Sequence, residues 1–264
     1  MTRAAIIGSG KVAEAMARVL PAAGIEVVCI CARNAERGAA LAEIAGCRYV
    51  GESEPLPEAD ICMAAVSDKA ISEVLTRIPL PESVIAMHIS GATPIEAVPE
   101  RFRHRGVLYP LQTFTEGREV DFRRVPIFIE ASDPQTLDVL RRIAVAIGSE
   151  ELVFEADSRQ RAVIHLAGVF ACNFATAMVC AGHDIMKSVG RSGDLLMPIF
   201  AETVAKLADP HNSDPRSVLT GPAVRNDLGT MERHRRILAD SDCDVLGRIY
   251  DSASEYIVKY GKKL

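Results

Sequence analysis

Arg3–Leu20 reads RAAIIGSGKVAEAMARVL, and this stretch decides the fold. A short apolar run, Ala4–Ile7, breaks at Gly8-Ser9-Gly10 and passes directly into a helical pattern. Gly8, Gly10 and Ala13 fit the G-x-G-x-x-G/A turn of a dinucleotide-binding strand–turn–helix. Each position has a physical role. Gly8 permits the tight turn, Gly10 lets the backbone approach a pyrophosphate, and Ala13 is small enough for close helix–strand packing. The helix that follows aims its unpaired N–H groups and the positive end of its dipole at the phosphates. Ser9, Lys11 and Val12 belong to the same turn, and Lys11 adds positive charge. The plainer alternative is a strand–turn–helix without a ligand.

Strands are expected at Ala4–Ile7, Ile25–Cys31, Arg48–Val50, Asp60–Val66, Ser83–Ile89, Gly106–Tyr109, Val125–Glu130 and Glu151–Phe154. Helical patterns separate most of them, at Asn34–Ala45, Asp68–Ile78 and from Pro134 to Gly148, the last capped by Asp133. This alternation predicts an α/β fold, a doubly wound and mostly parallel sheet. From Asp157 onward the pattern is helical only. Asp157 with Gln160 reads as a capping-box variant opening a helix to about Val189. Further helices are expected over Ser192–Leu207, from near Asp214, over Asp227–Asp240 and over Asp242–Lys259. The domain boundary falls near residue 155, giving a 1–155 nucleotide-binding domain and a 156–264 helical domain for substrate and dimerisation.

Composition narrows the class. The 264 residues are 48% apolar and 25% charged, with a formal net charge of -5. That is the balance of a globular protein with ample core, without the basic field that nucleic acid requires. Most of the seven cysteines sit in apolar runs and none forms a C-x-x-C pair, so reduced, buried thiols in a cytoplasm are expected rather than disulfides or a metal site. The glycine turn at residue 8 leaves no room for a signal peptide before it. Ala162–His183 has no Asp, Glu, Lys or Arg and reaches the length of a membrane span. Its Ala and Gly content, with His165, Asn173 and His183, favours a buried central helix over a membrane partner.

The cofactor can be read further. NAD sites place an acid at the end of the second strand; here Cys31-Ala32-Arg33-Asn34 carries none. Arg33 is placed to meet a 2′-phosphate with a planar, permanently charged fork, which favours NADP. Val66-Ser67-Asp68 ends the fourth strand, where ligands bind in such sheets. Ser67 is a candidate ribose or phosphate contact, and Asp68 either joins it or caps its helix.

Chemistry is expected beyond the fifth strand. His88, Ser90 and Gly91 lie in His88–Ala92 (HISGA), and a histidine there suits proton transfer. Tyr109–Phe114 (YPLQTF) is a dense polar and aromatic loop containing Gln112. His165 and Asn173 interrupt an apolar helix and require hydrogen-bond partners if buried. Arg225, in Leu219–Asp227 (LTGPAVRND), is a candidate grip for a substrate carboxylate. For each of these a purely structural role stays open.

Taken together, the GSG turn, HISGA, YPLQTF, His165–Phe174 (HLAGVFACNF) and LTGPAVRND resemble a family of Rossmann-like NADP oxidoreductases carrying a helical domain of unknown function. That family is related to pyrroline-5-carboxylate reductase, ketopantoate reductase and β-hydroxyacid dehydrogenases. The resemblance covers essentially the whole chain. It implies a helical domain like the C-terminal domain of 6-phosphogluconate dehydrogenase, a homodimer, and hydride transfer between NADPH and a small carbonyl or imine bearing a carboxylate. In better-studied relatives a Lys precedes an Asn by four residues. Asn173 matches the Asn, and Val169 stands at the Lys position. His165 lies about 12 Å and about 80° from Asn173 on an α-helix, so it is no simple replacement. The resemblance therefore leaves open reduction of a C=N bond, in which a Lys is less central. Two further readings remain: a non-catalytic NADP-binding or sensing protein, and an S-adenosylmethionine site at the glycine turn.

Overall fold

The structure, a computed structural model, describes residues 1–239 and 243–261. The expected helix limits Asp240 and Asp242 lie outside the described residues. The chain divides into two compact units, Met1–Cys172 and Asn173–Leu264.

The first unit holds one eight-stranded sheet in the order β3-β2-β1-β4-β5-β6-β7-β8. The strands are β1 (Arg3–Ile7), β2 (Glu26–Cys31), β3 (Arg48–Val50), β4 (Ile61–Ala64), β5 (Ile85–His88), β6 (His104–Pro110), β7 (Ile127–Ala131) and β8 (Val153–Glu155). β1 to β6 pair in parallel, β7 runs antiparallel to β6, and β8 is parallel to β7. Alternate residues of β1 enter opposite cores. Ala4 and Ile6 pack with Met16 and Leu20, and Ala5 and Ile7 with Leu75 and Phe102. A sheet buried on both faces requires such continuous apolar strands. The order reverses between β1 and β4, where the loops leaving their carboxyl ends diverge and open a crevice.

The helices of this unit are α1 (Lys11–Ala22), α2 (Ala35–Ala45), α3 (Ile71–Arg77), α4 (Pro134–Ile147) and α5 (Ser158–Gly168). Their starts follow the sequence. Asp133 accepts the Thr136 amide at 2.9 Å, and Pro134 opens α4. Asp157 and Gln160 close a complete capping box on α5, at 2.7 and 3.0 Å.

After α5 the helical run continues through a π-helical stretch, Val169–Phe174, into α6 (Ala175–Ser188). A π turn adds a residue to the helical repeat, so α-helical spacing between His165 and Asn173 does not carry across it. The second unit also contains α7 (Met197–Leu207), α8 (Pro222–Arg225), α9 (Leu228–Ala239) and α10 (Asp244–Tyr260). α9 and α10 are joined by His234 Nδ1 and Tyr250 Oη at 3.0 Å and by Arg235 and Asp251 at 2.7 Å.

The expected burial of Ala162–His183 is not found in the single chain. Ser158–Ser188 is 31 residues long with a mean hydropathy of 1.8 in its most apolar window, and none of that window is buried. By length and composition it could cross a membrane. Among the described residues of the second unit, the buried apolar side chains are Ala223 and Met231. The sequence pattern recognised an apolar helix, but periodicity does not say which molecule covers it. Cys29, Cys31 and Cys62 are buried, whereas Cys172, Cys180 and Cys243 are exposed, so the expected burial of the thiols holds only for part of the set. Burial pushes the Cys29 thiol up to about 12.

Candidate active site

A cavity of about 710 Å³ lies at the carboxyl ends of the central strands of the first unit. That volume is within the range of small-molecule sites. At the turn it is lined by Gly8, Ser9, Gly10, Lys11 and Val12. Arg33, Val66, Ser67 and Asp68 also line it, as do Ser90, Gly91, Gln112 and His165.

The turn is shaped for close backbone approach. Gly8 has φ 120°, and a Cβ there would stand 2.3 Å from the Ala65 carbonyl oxygen. Gly10 is different: a Cβ there would meet nothing within 4 Å. The space beside it is open, and Gly10 caps α1 without a side-chain hydrogen bond, leaving backbone donors at the helix start. Lys11, Arg33 and Arg77 contribute cationic side chains to the wall. Glycine backbone, a helix start and cations form the donor set that a phosphorylated dinucleotide requires, so the residues fit NADP. Arg33 is well exposed, with Nε 3.6 Å from Glu52, which also lines the cavity. Asn34 accepts the Arg37 amide as the cap of α2. At the end of β4, Ser67 rather than Asp68 takes the N-cap position of the short 3-10 turn Asp68–Ala70.

A second group of side chains surrounds Gly91. Tyr109 Oη lies 3.1 Å from His165 Nδ1, and both residues line the cavity. A Cβ on Gly91 would come within 2.5 Å of the Tyr109 ring and 2.9 Å of His165 Nδ1, so the pair packs directly on this glycine. Burial raises the Tyr109 pKa; Cys172 reinforces the shift and Arg161 opposes it. The phenol is thus kept in its neutral form.

Beneath this pair lies Arg161, 1% exposed and one helical turn before His165. It forms an ion pair with Glu130 and donates to the carbonyls of Ser90 at 3.3 Å and Thr93 at 2.5 Å. Glu130 also accepts the Ser158 amide and hydroxyl, and Ser158 accepts the Ile95 amide. The segment from Ser90 to Ile95 is thereby fixed to the start of α5. Ser90 lines the cavity, but its hydroxyl is engaged locally, with Thr93 Oγ1 at 2.9 Å and the amides of Ala92 and Thr93. Gln112 Oε1 accepts the Thr113 amide, leaving its NH₂ group as a donor for a ligand.

Of the expected residues in the first unit, His88 does not line the cavity. His88 is 0% exposed. Its Nδ1 accepts the Ser90 amide at 3.2 Å, and its Nε2 stands 3.2 Å from the Pro94 carbonyl oxygen. Burial, aided by the Arg161 charge, lowers its pKa to about 4. A neutral imidazole with both nitrogens engaged by backbone holds the loop together; the proton-donor reading of His88 is corrected accordingly. Asn173 and Arg225 are exposed residues of the second unit. No local motif in the sequence marks Arg161 or Glu130. For Tyr109 the available signal is its place at the end of β6, beside β5.

Residues 3–89 match the family described as NADP oxidoreductase, coenzyme F420-dependent, and residues 125–257 match a domain of unknown function, DUF2520. A solved structure titled "putative NADP oxidoreductase" from Bacteroides fragilis is 32% identical, covering 98% of both chains with a TM-score of 0.87. The chain belongs to the DUF2520 family. This DUF2520 protein joins an NADP-oxidoreductase Rossmann domain to a helical region. A Thermotoga maritima protein is 22% identical over 98% of this chain and 97% of its own, with a TM-score of 0.73. Pyrroline-5-carboxylate reductase of Streptococcus pyogenes is 15% identical over 99% and 98%, with a TM-score of 0.64. These last two likenesses are of fold alone. No curated protein matches the chain. The cofactor expected from Arg33, NADP, is the one named for the family matched by residues 3–89.

Proposed function

We propose that this DUF2520 protein is an NADP-dependent reductase of a small carbonyl or imine. The observation that carries the proposal is the Tyr109–His165 pair on the wall of the same cavity that holds the glycine turn. NADPH, when bound, supplies a hydride. The chain supplies what that hydride transfer requires of a protein: a place for the pyrophosphate, a cation for the 2′-phosphate, and a proton.

The glycine turn and the start of α1 bind the pyrophosphate, and Arg33 binds the 2′-phosphate. His165 in its protonated form donates from both ring nitrogens, Nδ1–H to Tyr109 Oη and Nε2–H to the substrate oxygen or nitrogen. Once the proton has moved, the neutral ring keeps Nδ1–H and its bond to Tyr109, so the pair stays aligned through the step. Tyr109 acts throughout as acceptor, which its raised pKa permits, because the phenol need not ionise. The Gln112 NH₂ group is the neutral donor available to orient the substrate. The family resemblance, with Arg225 as the candidate cation, is what supports a carboxylate on that substrate.

The exposed apolar side chains support a homodimer. Val189, Leu195 and Ile199, all of the second unit, are each more than 60% exposed in the single chain. Exposed large apolar side chains are normally covered, and a second copy of the same chain is the commonest cover. The lack of any C-x-x-C pair among the seven cysteines supports the reducing cytoplasm as its site of action. Light scattering should give a dimer without detergent; a monomer, or a species that requires detergent, opposes this assembly.

The test of the activity is a panel of keto acids and cyclic imines with NADPH. The chain has no Trp, so NADPH fluorescence can be followed against little protein background. Consumption of NADPH with a panel member supports the reductase. Tight NADPH binding without turnover across the panel favours a non-catalytic NADP-binding protein.

A further inference from the structure

Arg37 does not line the cavity, yet it grips the turn that does. Its Nε donates to the Ser9 carbonyl oxygen at 2.8 Å. In a trans peptide the carbonyl and the following N–H point in opposite directions. Holding the Ser9 carbonyl on the Arg37 side therefore turns the Gly10 N–H to the other side. Gly10 lines the cavity, and the space beside its α-carbon is empty to 4 Å.

The guanidinium is itself fixed. Its Nη2 meets Glu14 at 2.9 Å, and its Nη1 pairs with Glu116. Glu14 is 5% exposed and also accepts from Arg18 at 3.1 Å and from the Gly117 amide at 3.0 Å. Burial alone would raise the Glu14 pKa; Arg18, the Gly117 amide and Arg37 together hold it below its ordinary value. A charged residue on the otherwise apolar face of α1, beside Ala13, Met16 and Ala17, is costly unless it is paired this completely. The arrangement joins the glycine turn, α1, the first turn of α2 and the loop after β6.

We propose that Arg37 is a positioning residue for the dinucleotide pyrophosphate: by holding the Ser9 carbonyl it aims the Gly10 N–H into the cavity, with Glu14 and Glu116 fixing its guanidinium. The proposal rests on the NADP-binding reading given above. Arg37 acts through the backbone and touches no ligand. Its loss should therefore weaken ligands that carry a pyrophosphate and spare those that reach only the Arg33 end.

Dissociation constants for NADPH and for adenosine 2′-phosphate, which has no pyrophosphate, separate these effects. R37M should weaken NADPH about tenfold or more, the scale of one lost charge-assisted hydrogen bond, and leave adenosine 2′-phosphate within about twofold. R37K should recover part of the loss, since its ammonium retains one donor for the Ser9 carbonyl. Because R37M leaves Glu14 short of a partner, E14M/R37M is the control, replacing both members of the pair with apolar chains of similar length. It should keep a thermal midpoint near the wild type and still lose NADPH affinity. NADPH affinity unchanged in E14M/R37M, or equal weakening of both ligands, overturns the positioning role. Wild-type protein that binds neither ligand overturns the NADP reading and this proposal with it.

Discussion

Tyr109 Oη and His165 Nδ1 meet at 3.1 Å across Gly91, joining the end of β6 to the last turn of α5. Under the proposed mechanism the two residues have unequal roles. H165N removes the proton donor and should lower kcat by about 100-fold or more, the usual range for a lost general acid. Y109F removes only the acceptor that aligns the ring and should cost about tenfold or less. Stopped-flow consumption of NADPH reads both, and NADPH affinity should stay within about twofold in each. A kcat in H165N equal to that of the wild type removes His165 from the reaction.

Gly8 and Gly10 should fail in different ways. A methyl group at Gly8 meets the Ala65 carbonyl at 2.3 Å, and φ 120° is strained for any L side chain. G8A should lose both NADPH binding and thermal stability. G10A meets nothing within 4 Å. It should melt within a degree or two of the wild type while losing NADPH affinity, because the methyl occupies the space a pyrophosphate needs. Differential scanning fluorimetry with and without NADPH distinguishes the two outcomes.

Acid should weaken the fold through His88. Its ordinary value is 6.5 and burial depresses it to about 4 in the folded chain. Between these values the unfolded chain takes up a proton that the folded chain refuses. The associated stability is present in full above about pH 6.5 and is lost as pH falls towards 4. A stability–pH curve from chemical denaturation should slope down over this window. In H88Q, whose amide can replace one of the two backbone hydrogen bonds, that component of the slope should vanish. An H88Q curve parallel to that of the wild type removes His88 as its source.

Arg161 should be the most damaging single position outside the turn. It is 1% exposed and pairs with Glu130, which is 15% exposed. R161M leaves Glu130 without its cation and frees the carbonyls of Ser90 and Thr93. Breaking a buried pair from one side typically costs about 3–5 kcal/mol. E130Q/R161M, which also removes the stranded negative charge, should recover part of that loss. Urea midpoints compare the two.

The Rossmann sheet was legible because its signals are local. The glycine turn, the Asp133 cap and the Asp157–Gln160 box each depend on residues a few positions apart. Arg33 was legible for the same reason, since one topological rule places it. The cluster below Gly91 was not. Arg161 and Glu130 are 31 residues apart and meet only when β7 pairs with β6 and α5 folds back. His88 illustrates the limit more sharply. Topology placed it correctly at the end of β5, but its direction depends on two backbone partners supplied by the next six residues. Glu14 left a faint signal, a carboxylate within a helix face otherwise built of Ala and Met.

The unburied apolar window within the helix from Ser158 to Ser188 has a consequence for how the protein is handled. If folding is completed by a second copy, dilution acts as a denaturant. The melting temperature then rises with protein concentration, and no single value belongs to the chain alone. In the cell, the rate of synthesis would become part of the protein's stability.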